Sequence, residues 1–190
     1  MGGAYPLRQC AVMDKEEQKH MDRVEEARRT LLALYGGSHS PLEESDPDFA
    51  AIKQRLVYGE LYAQEALDPV MRELILLAVA TTNQTMSEVK LHTCAALRSG
   101  ASPEAVKEAV YHCAPYIGLG KAEAAAAAVN EVLRTQGISL PLASQRTVSE
   151  EDRLTAGIAA QKSIFGPHID EMRAAAPNDK KPLQDYLSAY

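Results

Sequence analysis

Apolar positions recur along this chain at helical spacing, and no stretch alternates with the period of two that marks a strand. The pattern therefore predicts an all-α fold. Its central region reads as four helices. The first opens with Asp68 as N-cap and Pro69 at the first helical position, and runs to about Thr82 with Leu74, Ile75, Leu77 and Ala78 available for burial. The second starts at Thr85, where Thr85-Met86-Ser87-Glu88 has capping-box spacing, and ends at Gly100. A third follows from Ser102-Pro103-Glu104 and should stop near Pro115. The fourth, from about Gly120 to Gly137, contains Ala124 to Ala128, side chains small enough to let two helix backbones approach closely.

Outside this core the same periodicity predicts an amphipathic helix from about Glu16 to Tyr35, a polar loop from Gly36 to Pro47, and a helix from about Phe49 to Ala63. The arrangement then recurs. Asp22-Arg23-Val24 followed by Tyr35-Gly36 matches Asp152-Arg153-Leu154 followed by Phe165-Gly166, with the same thirteen residues from arginine to glycine. Either two amphipathic helices resemble one another by chance, or a second copy of the leading helices begins near Ser149 and reaches Tyr190 before any second core. The expected organisation is a disordered leader over residues 1–12, a helical domain over 13–140, a linker over 141–148 and an incomplete second repeat over 149–190. Leu154, Ile158, Ile164, Phe165, Leu183 and Leu187 would give that last segment an apolar face needing cover from its own core or a neighbour's.

Charge and composition narrow the function classes. The longest apolar run, Leu74 to Ala80, falls well short of the roughly 20 residues of a membrane span. The leader lacks the apolar centre of a signal peptide, which points to a cytoplasmic protein with reduced thiols. A net charge of −6 with no dense Lys/Arg cluster argues against a nucleic-acid partner. Cys10, Cys94 and Cys113 are odd in number and form no CxxC, so neither a disulfide framework nor a zinc site is indicated.

Candidate chemistry gathers in the two central helices. Glu88 and His92 are four apart and share one helix face, while Glu73 interrupts the apolar stripe of the preceding helix beside Leu76, Leu77 and Ala80. An imidazole with small or polar neighbours (Glu88, Ala95, Ala96, Ser99) can act as a general acid or base near neutral pH; it can equally be a helix histidine paired to Glu88 for stability. Glu73 should be at least partly desolvated. It is either catalytic or an ion pair with Arg72 or Arg55, although Arg72, its sequence neighbour, points elsewhere on an ideal helix. His112 has Glu108 four residues before it and reads equally as a surface pair. Cys94 and Cys113 read better as buried structural thiols than as nucleophiles.

The block from Arg72-Glu73 through Ser87-Glu88-Val-Lys-Leu-His92, Gly100-Ala-Ser-Pro-Glu104 and His112-Cys-Ala-Pro-Tyr116-Ile-Gly118 resembles the carboxymuconolactone decarboxylase family over residues 55–135. That family includes lactone decarboxylases and alkylhydroperoxidase D-type peroxidases, on a helical core that forms trimers or hexamers. The resemblance implies an alkylhydroperoxidase D-like bundle, a homo-oligomer and a small-molecule substrate. It also implies that the His112-to-Gly118 turn lies near the pocket, although Gly120 stands where the family usually has proline. In the peroxidases a distant Glu, a CxxC pair and a His form a relay; those positions fall here on Glu73, Thr85, Glu88 and His92, so the relay ends are kept and the redox pair is gone. The decarboxylase branch implies His92 as acid/base, Glu73 and Glu88 to orient and tune it, and His112 or Tyr116, beside Gly118, on a developing oxyanion. Arg72 or Arg98 would hold the substrate carboxylate, with no metal or organic cofactor. Two other readings stay open: an alkylhydroperoxidase-type antioxidant, and a catalytically silent binding or assembly module. Convergence of Glu73, Glu88, His92 and His112 on one enclosed pocket would separate the enzyme from the silent module.

Overall fold

The computed structural model describes residues 23–37, 40–64 and 66–189; the leader and the predicted start of the first helix lie outside them. Among the described residues the fold is all-α, with no strand. The chain divides into two compact units, Met1–Leu142 and Ala143–Tyr190.

In the first unit, α3 (Pro69–Asn83) begins as its sequence predicts: the Asp68 side chain accepts hydrogen bonds from the Val70 and Met71 amides, and Pro69 occupies a position whose missing N–H costs nothing. The chain reverses through Gln84 and Thr85 into α4 (Met86–Arg98), which packs along α3. The predicted capping box does not form. Thr85 Oγ1 donates instead to the Ala80 carbonyl at 3.3 Å, and Glu88 is drawn to Lys53 and His92, partners supplied by tertiary structure that outcompete the backbone amide. At the far end of α4, Gly100 adopts φ 103° and the Ala101 amide reaches back to the Ala96 carbonyl at 2.9 Å, a glycine-dependent helix stop.

Next come α5 (Pro103–Tyr111), α6 (Ala114–Ile117) and α7 (Leu119–Thr135). Helix α5 ends four residues before Pro115, because that proline falls in the first turn of α6, where it is tolerated. The small-residue seam of α7 runs through Ala122, Ala125 and Ala128, which are buried, while Ala124 and Ala127 face out. Leu77, Val89, Val106, Val110, Val129 and Leu133 complete the core between α3, α4, α5 and α7.

A second apolar cluster joins the leading helices to α4. Helix α1 (Arg23–Tyr35) buries Ala27, Leu31 and Leu34 against Tyr58, Tyr62 and Ala95. The single α-helix predicted over Phe49–Ala63 is instead α2 (Pro47–Gln54), a π-helix over Arg55–Leu61 and a short 3₁₀ turn over Tyr62–Gln64. Gly59 lies within the π segment, where α1 presses in so closely that a Cβ would overlap the Arg23 carbonyl oxygen. Wide helical turns of this kind recur at functional sites, and this one, with the 3₁₀ turn that follows it, presents Tyr58 and Tyr62 to the interior.

The second unit holds α8 (Arg153–Phe165), α9 (His168–Ala175) and α10 (Lys181–Ala189). Helices α8 and α10 meet at Gly157, where a Cβ would overlap the Ser188 carbonyl oxygen. Arg173 ties α9 to α10 through Asp185 and the Ser188 hydroxyl. Ile169 is the one large apolar side chain buried among this unit's described residues; Ile164, Phe165, Leu183 and Leu187 are exposed. Among the described residues, no helix is long and apolar enough to cross a membrane.

Candidate active site

Packing α3 on α4 brings Glu73 to His92. Glu73 is fully buried, and its Oε2 lies 3.0 Å from His92 Nδ1. Its other oxygen accepts from Arg72 Nε at 3.3 Å. Arg72 thus turns back onto its neighbour, contrary to its direction on an ideal helix. The reason is its stacking on Tyr62, with the guanidinium carbon 3.8 Å from the ring centroid, so that cation–π attraction and the buried carboxylate fix one rotamer. A buried carboxylate stripped of such a partner typically costs a protein about 3–5 kcal/mol. Arg72, not Arg55, is the cation that compensates Glu73.

The opposite edge of the imidazole faces Glu88, with Nε2 to Oε2 at 3.6 Å, too long for a hydrogen bond. Glu88 is itself held by Lys53 Nζ at 3.2 Å. The result is a row of ionisable side chains, Arg72, Glu73, His92, Glu88, Lys53, in which each carboxylate stands between a cationic side chain and the imidazole, crossing the layer between α3, α4 and α2. A carboxylate only accepts, so its contact with Nδ1 assigns the proton there and leaves Nε2 as the nitrogen free to take up or release one.

Two cavities lie at the two ends of this row. One, of about 480 Å³, is lined by Lys53, Glu88, Tyr58, Leu31 and Leu91 among others. The other, of about 590 Å³, is lined by Arg72, Arg98, Arg29 and Tyr62 among others, and shares no lining residue with the first. Between them stand three tyrosines in edge-to-face contact, Tyr35 to Tyr58 at 5.8 Å and Tyr58 to Tyr62 at 5.1 Å between centroids. Burial pushes all three phenols above the ordinary tyrosine range; the Glu73 charge adds to the effect at Tyr62, and at Tyr58 neighbouring Tyr35 opposes it in part. Tyr58 thus enters the first cavity as a protonated hydroxyl, a donor.

The expected site residues do not all meet. Glu73, Glu88 and His92 converge. Arg72 joins them through Glu73, yet it lines the second cavity with Arg98 and not the one that Glu88 and Lys53 share. His112 is bound to its own helix, with Nδ1 at 2.9 Å from the Glu108 carbonyl and 3.6 Å from the Glu108 carboxylate, and its side chain is 81% exposed. Tyr116 is exposed, and Gly118 serves as the turn before α7. None of these three lines either cavity, and of the converging trio only Glu88 does: Glu73 and His92 lie behind it, so the four residues expected on one enclosed pocket do not share one. Conversely, sequence reasoning missed Lys53, Tyr58 and Tyr62. The four-residue spacing of the two tyrosines is a signal of a shared face; Lys53 had none, since only tertiary structure brings it to Glu88.

Burial raises the thiols of Cys94 and Cys113 above the ordinary cysteine range, opposite to what an activated nucleophile requires. Both are free, and Cys113 donates to the Ala109 carbonyl. Among the described residues, no group of three or more His, Cys, Asp and Glu side chains is arranged to hold a metal ion.

Residues 47–131 match the family described as the carboxymuconolactone decarboxylase family. The chain is also similar to a 4-carboxymuconolactone decarboxylase of Acinetobacter baylyi, at 29% identity over 98 residues, which covers 52% of this chain and 73% of that protein. The matched span includes Lys53, Tyr58, Tyr62, Arg72, Glu73, Glu88 and His92, every member of the row and two of the tyrosines beside it.

Proposed function

We propose, from the match of residues 47–131 to the carboxymuconolactone decarboxylase family and the likeness to a 4-carboxymuconolactone decarboxylase, that the protein is a lyase that decarboxylates a small lactone carboxylate, with His92 as its acid/base. The reaction needs three things of a site. A cation must hold the substrate carboxylate, a donor must meet the oxyanion that forms as CO2 leaves, and an acid must protonate carbon. In the cavity at the Glu88 end of the row, Lys53 is the cation and the Tyr58 hydroxyl the donor. The C–C bond to the carboxylate breaks, its electron pair passes into the conjugated lactone as a dienolate, and the proton on His92 Nε2 goes to carbon. Glu73 holds the ring by Nδ1 throughout, and Glu88 steadies the imidazolium before transfer. Neither step calls on a thiol, a metal or an organic cofactor. His112, Tyr116 and Gly118 are outside this proposal unless a second copy of the chain brings them to the cavity.

The observation that carries the reading is the 3.0 Å contact between fully buried Glu73 and His92. A carboxylate buried for stability alone needs only its arginine; this one spends its second oxygen on His92 Nδ1, so that the ring's other nitrogen is turned to Glu88, which lines the cavity. The test is release of CO2 from 4-carboxymuconolactone and related lactone acids by the purified protein, run in D2O so that enzyme-delivered deuterium appears at one carbon of the product. CO2 release with stereospecific labelling is expected. A protein that binds such acids without turning any over would be the silent module instead, and dithiol-dependent consumption of hydroperoxide lost on alkylating Cys94 or Cys113 would favour the antioxidant reading.

We also expect a homo-oligomer, a trimer or hexamer. Met71, Ile75 and Val79 recur every fourth residue on α3 and are about half exposed, an apolar stripe that a second copy would cover. A monomeric mass by light scattering at micromolar concentration would exclude it.

A further inference from the structure

The second cavity has a charge pattern that the proposed reaction leaves unused. Its wall carries three arginines, Arg29, Arg72 and Arg98, against two carboxylates, Glu26 and Asp68. Glu26 pairs with Arg29 at 2.7 Å and so takes that arginine out of the balance, and Asp68 is committed to the amides that open α3, which leaves Arg72 and Arg98 as the cations to explain. Arg72 gives only its Nε to Glu73 and lays its plane on Tyr62, so its two terminal nitrogens bond to no described residue. Arg98 donates one nitrogen to the Leu34 carbonyl at 3.1 Å and has no carboxylate within ion-pair distance among the described residues. The Tyr62 hydroxyl, on a side chain more than nine-tenths buried, makes no hydrogen bond of good geometry, though the Glu73 charge lies close enough to act on it. The positive end of α3 opens onto the same cavity at Pro69. Apart from Thr30 and Ser99, the remaining wall is apolar, with Leu34 and Leu67 its largest side chains.

A purely structural role accounts for part of this, since Arg98 ties the end of α1 to α4. It does not account for the terminal nitrogens of Arg72 facing a hollow of this size. We propose that this cavity is a second binding site, separate from the one that holds Lys53 and Glu88, and that it takes a small organic carboxylate. The carboxylate lies on Arg72 and Arg98, whose planar forks suit it, and the hydrocarbon body lies against Leu34, Leu67 and the Tyr62 ring. The apolar wall selects a carboxylate with a hydrocarbon body over a bare inorganic anion. This inference does not rest on the decarboxylase reading, because its test reads binding alone.

The test uses the full chain, with hexanoate, acetate and inorganic phosphate as probes, and follows backbone amide shifts and binding heats. Hexanoate is expected to move the amides of Thr30, Ala63 and Ser99 and to bind at least fivefold more tightly than acetate or phosphate. Arg98→Gln should weaken it about tenfold, Arg98→Lys should weaken it less while keeping the tie between α1 and α4, and Leu91→Ala, on the wall of the other cavity, should leave the hexanoate shifts of Thr30, Ala63 and Ser99 unchanged. Thermal melts of the variants establish that each is folded. Shifts confined to Ser87, Glu88 and Leu91, hexanoate affinity unaltered in both Arg98 variants, or phosphate binding as tightly as hexanoate would each overturn the proposal.

Discussion

Among the described residues two histidines have a glutamate four residues before them, and the two pairs have the same separation: His92 to Glu88 and His112 to Glu108 are both 3.6 Å. Locally they are one motif on a helix. They differ in what the rest of the molecule does to them. The His92 side chain is 11% exposed and gains Glu73 from α3 and, through Glu88, Lys53 from α2. The His112 side chain is 81% exposed and gains only the carbonyl of its own helix. Spacing brings an acid and a base together; a second carboxylate from another helix, in a place water does not reach, fixes which nitrogen holds the proton. The difference between a surface pair and a candidate site is thus tertiary, and each prediction below acts on one side of it.

The largest effect is expected at the buried pair itself. His92→Gln should lower kcat for lactone decarboxylation by a factor of roughly 10² to 10⁴, the usual contribution of a positioned acid/base, with the helical circular-dichroism signal retained. Next is the scaffold that keeps the pair buried. Gly59→Ala forces a methyl group into the Arg23 carbonyl and should cost about 1–3 kcal/mol of stability, read as a lower urea midpoint; an unchanged midpoint would mean that the close contact of α1 with the π segment is not needed.

A smaller effect follows from the tyrosines beside the buried pair. Burial raises the phenols of Tyr35, Tyr58 and Tyr62 in the folded protein, whereas in the unfolded chain they ionise near the ordinary value of about 10. Their raised affinity for the proton is a contribution fully present below pH about 10 and lost as pH climbs above it, by at most about 1.4 kcal/mol per pH unit for each tyrosine. The melting temperature should therefore fall steeply above pH about 10, and replacing Tyr62 by Phe should make the fall shallower. Least of all should happen at the exposed pair: His112→Gln is expected to change kcat less than twofold, and a loss comparable to that of His92→Gln would erase the distinction between the two pairs.

How far the sequence reveals this site follows from the same comparison. The helices of the core were legible because their signals are local: Asp68 with Pro69, Ser102 with Pro103 and Gly100 sit where the backbone needs them. Glu73 and His92 were legible because a charge in an apolar stripe and an imidazole among small residues are anomalies of pattern. The π-helix was not, since Gly59 marks a close approach only once α1 is in place. Lys53 was not, because nothing in the pattern links α2 to Glu88 thirty-five residues away. Arg72 and Arg98 were singled out as carboxylate-binding residues, and the chemistry suits them; the sequence has no signal for which cavity they line. Thr85 and Glu88 have the spacing of a capping box, and the tertiary partners of Glu88 override it.

The central claim is that Glu73 fixes His92 with its proton on Nδ1, leaving Nε2 to exchange protons with what occupies the Glu88 cavity. Nitrogen-detected NMR of the histidine rings tests it most directly, with and without a saturated lactone carboxylate that can bind but cannot form the dienolate. The account predicts a His92 ring protonated at Nδ1 when neutral, an Nε2 resonance that moves when the lactone acid binds, and a His112 ring that does not respond. A neutral His92 carrying its proton on Nε2, or a lactone acid that shifts His112 and leaves His92 untouched, would contradict it.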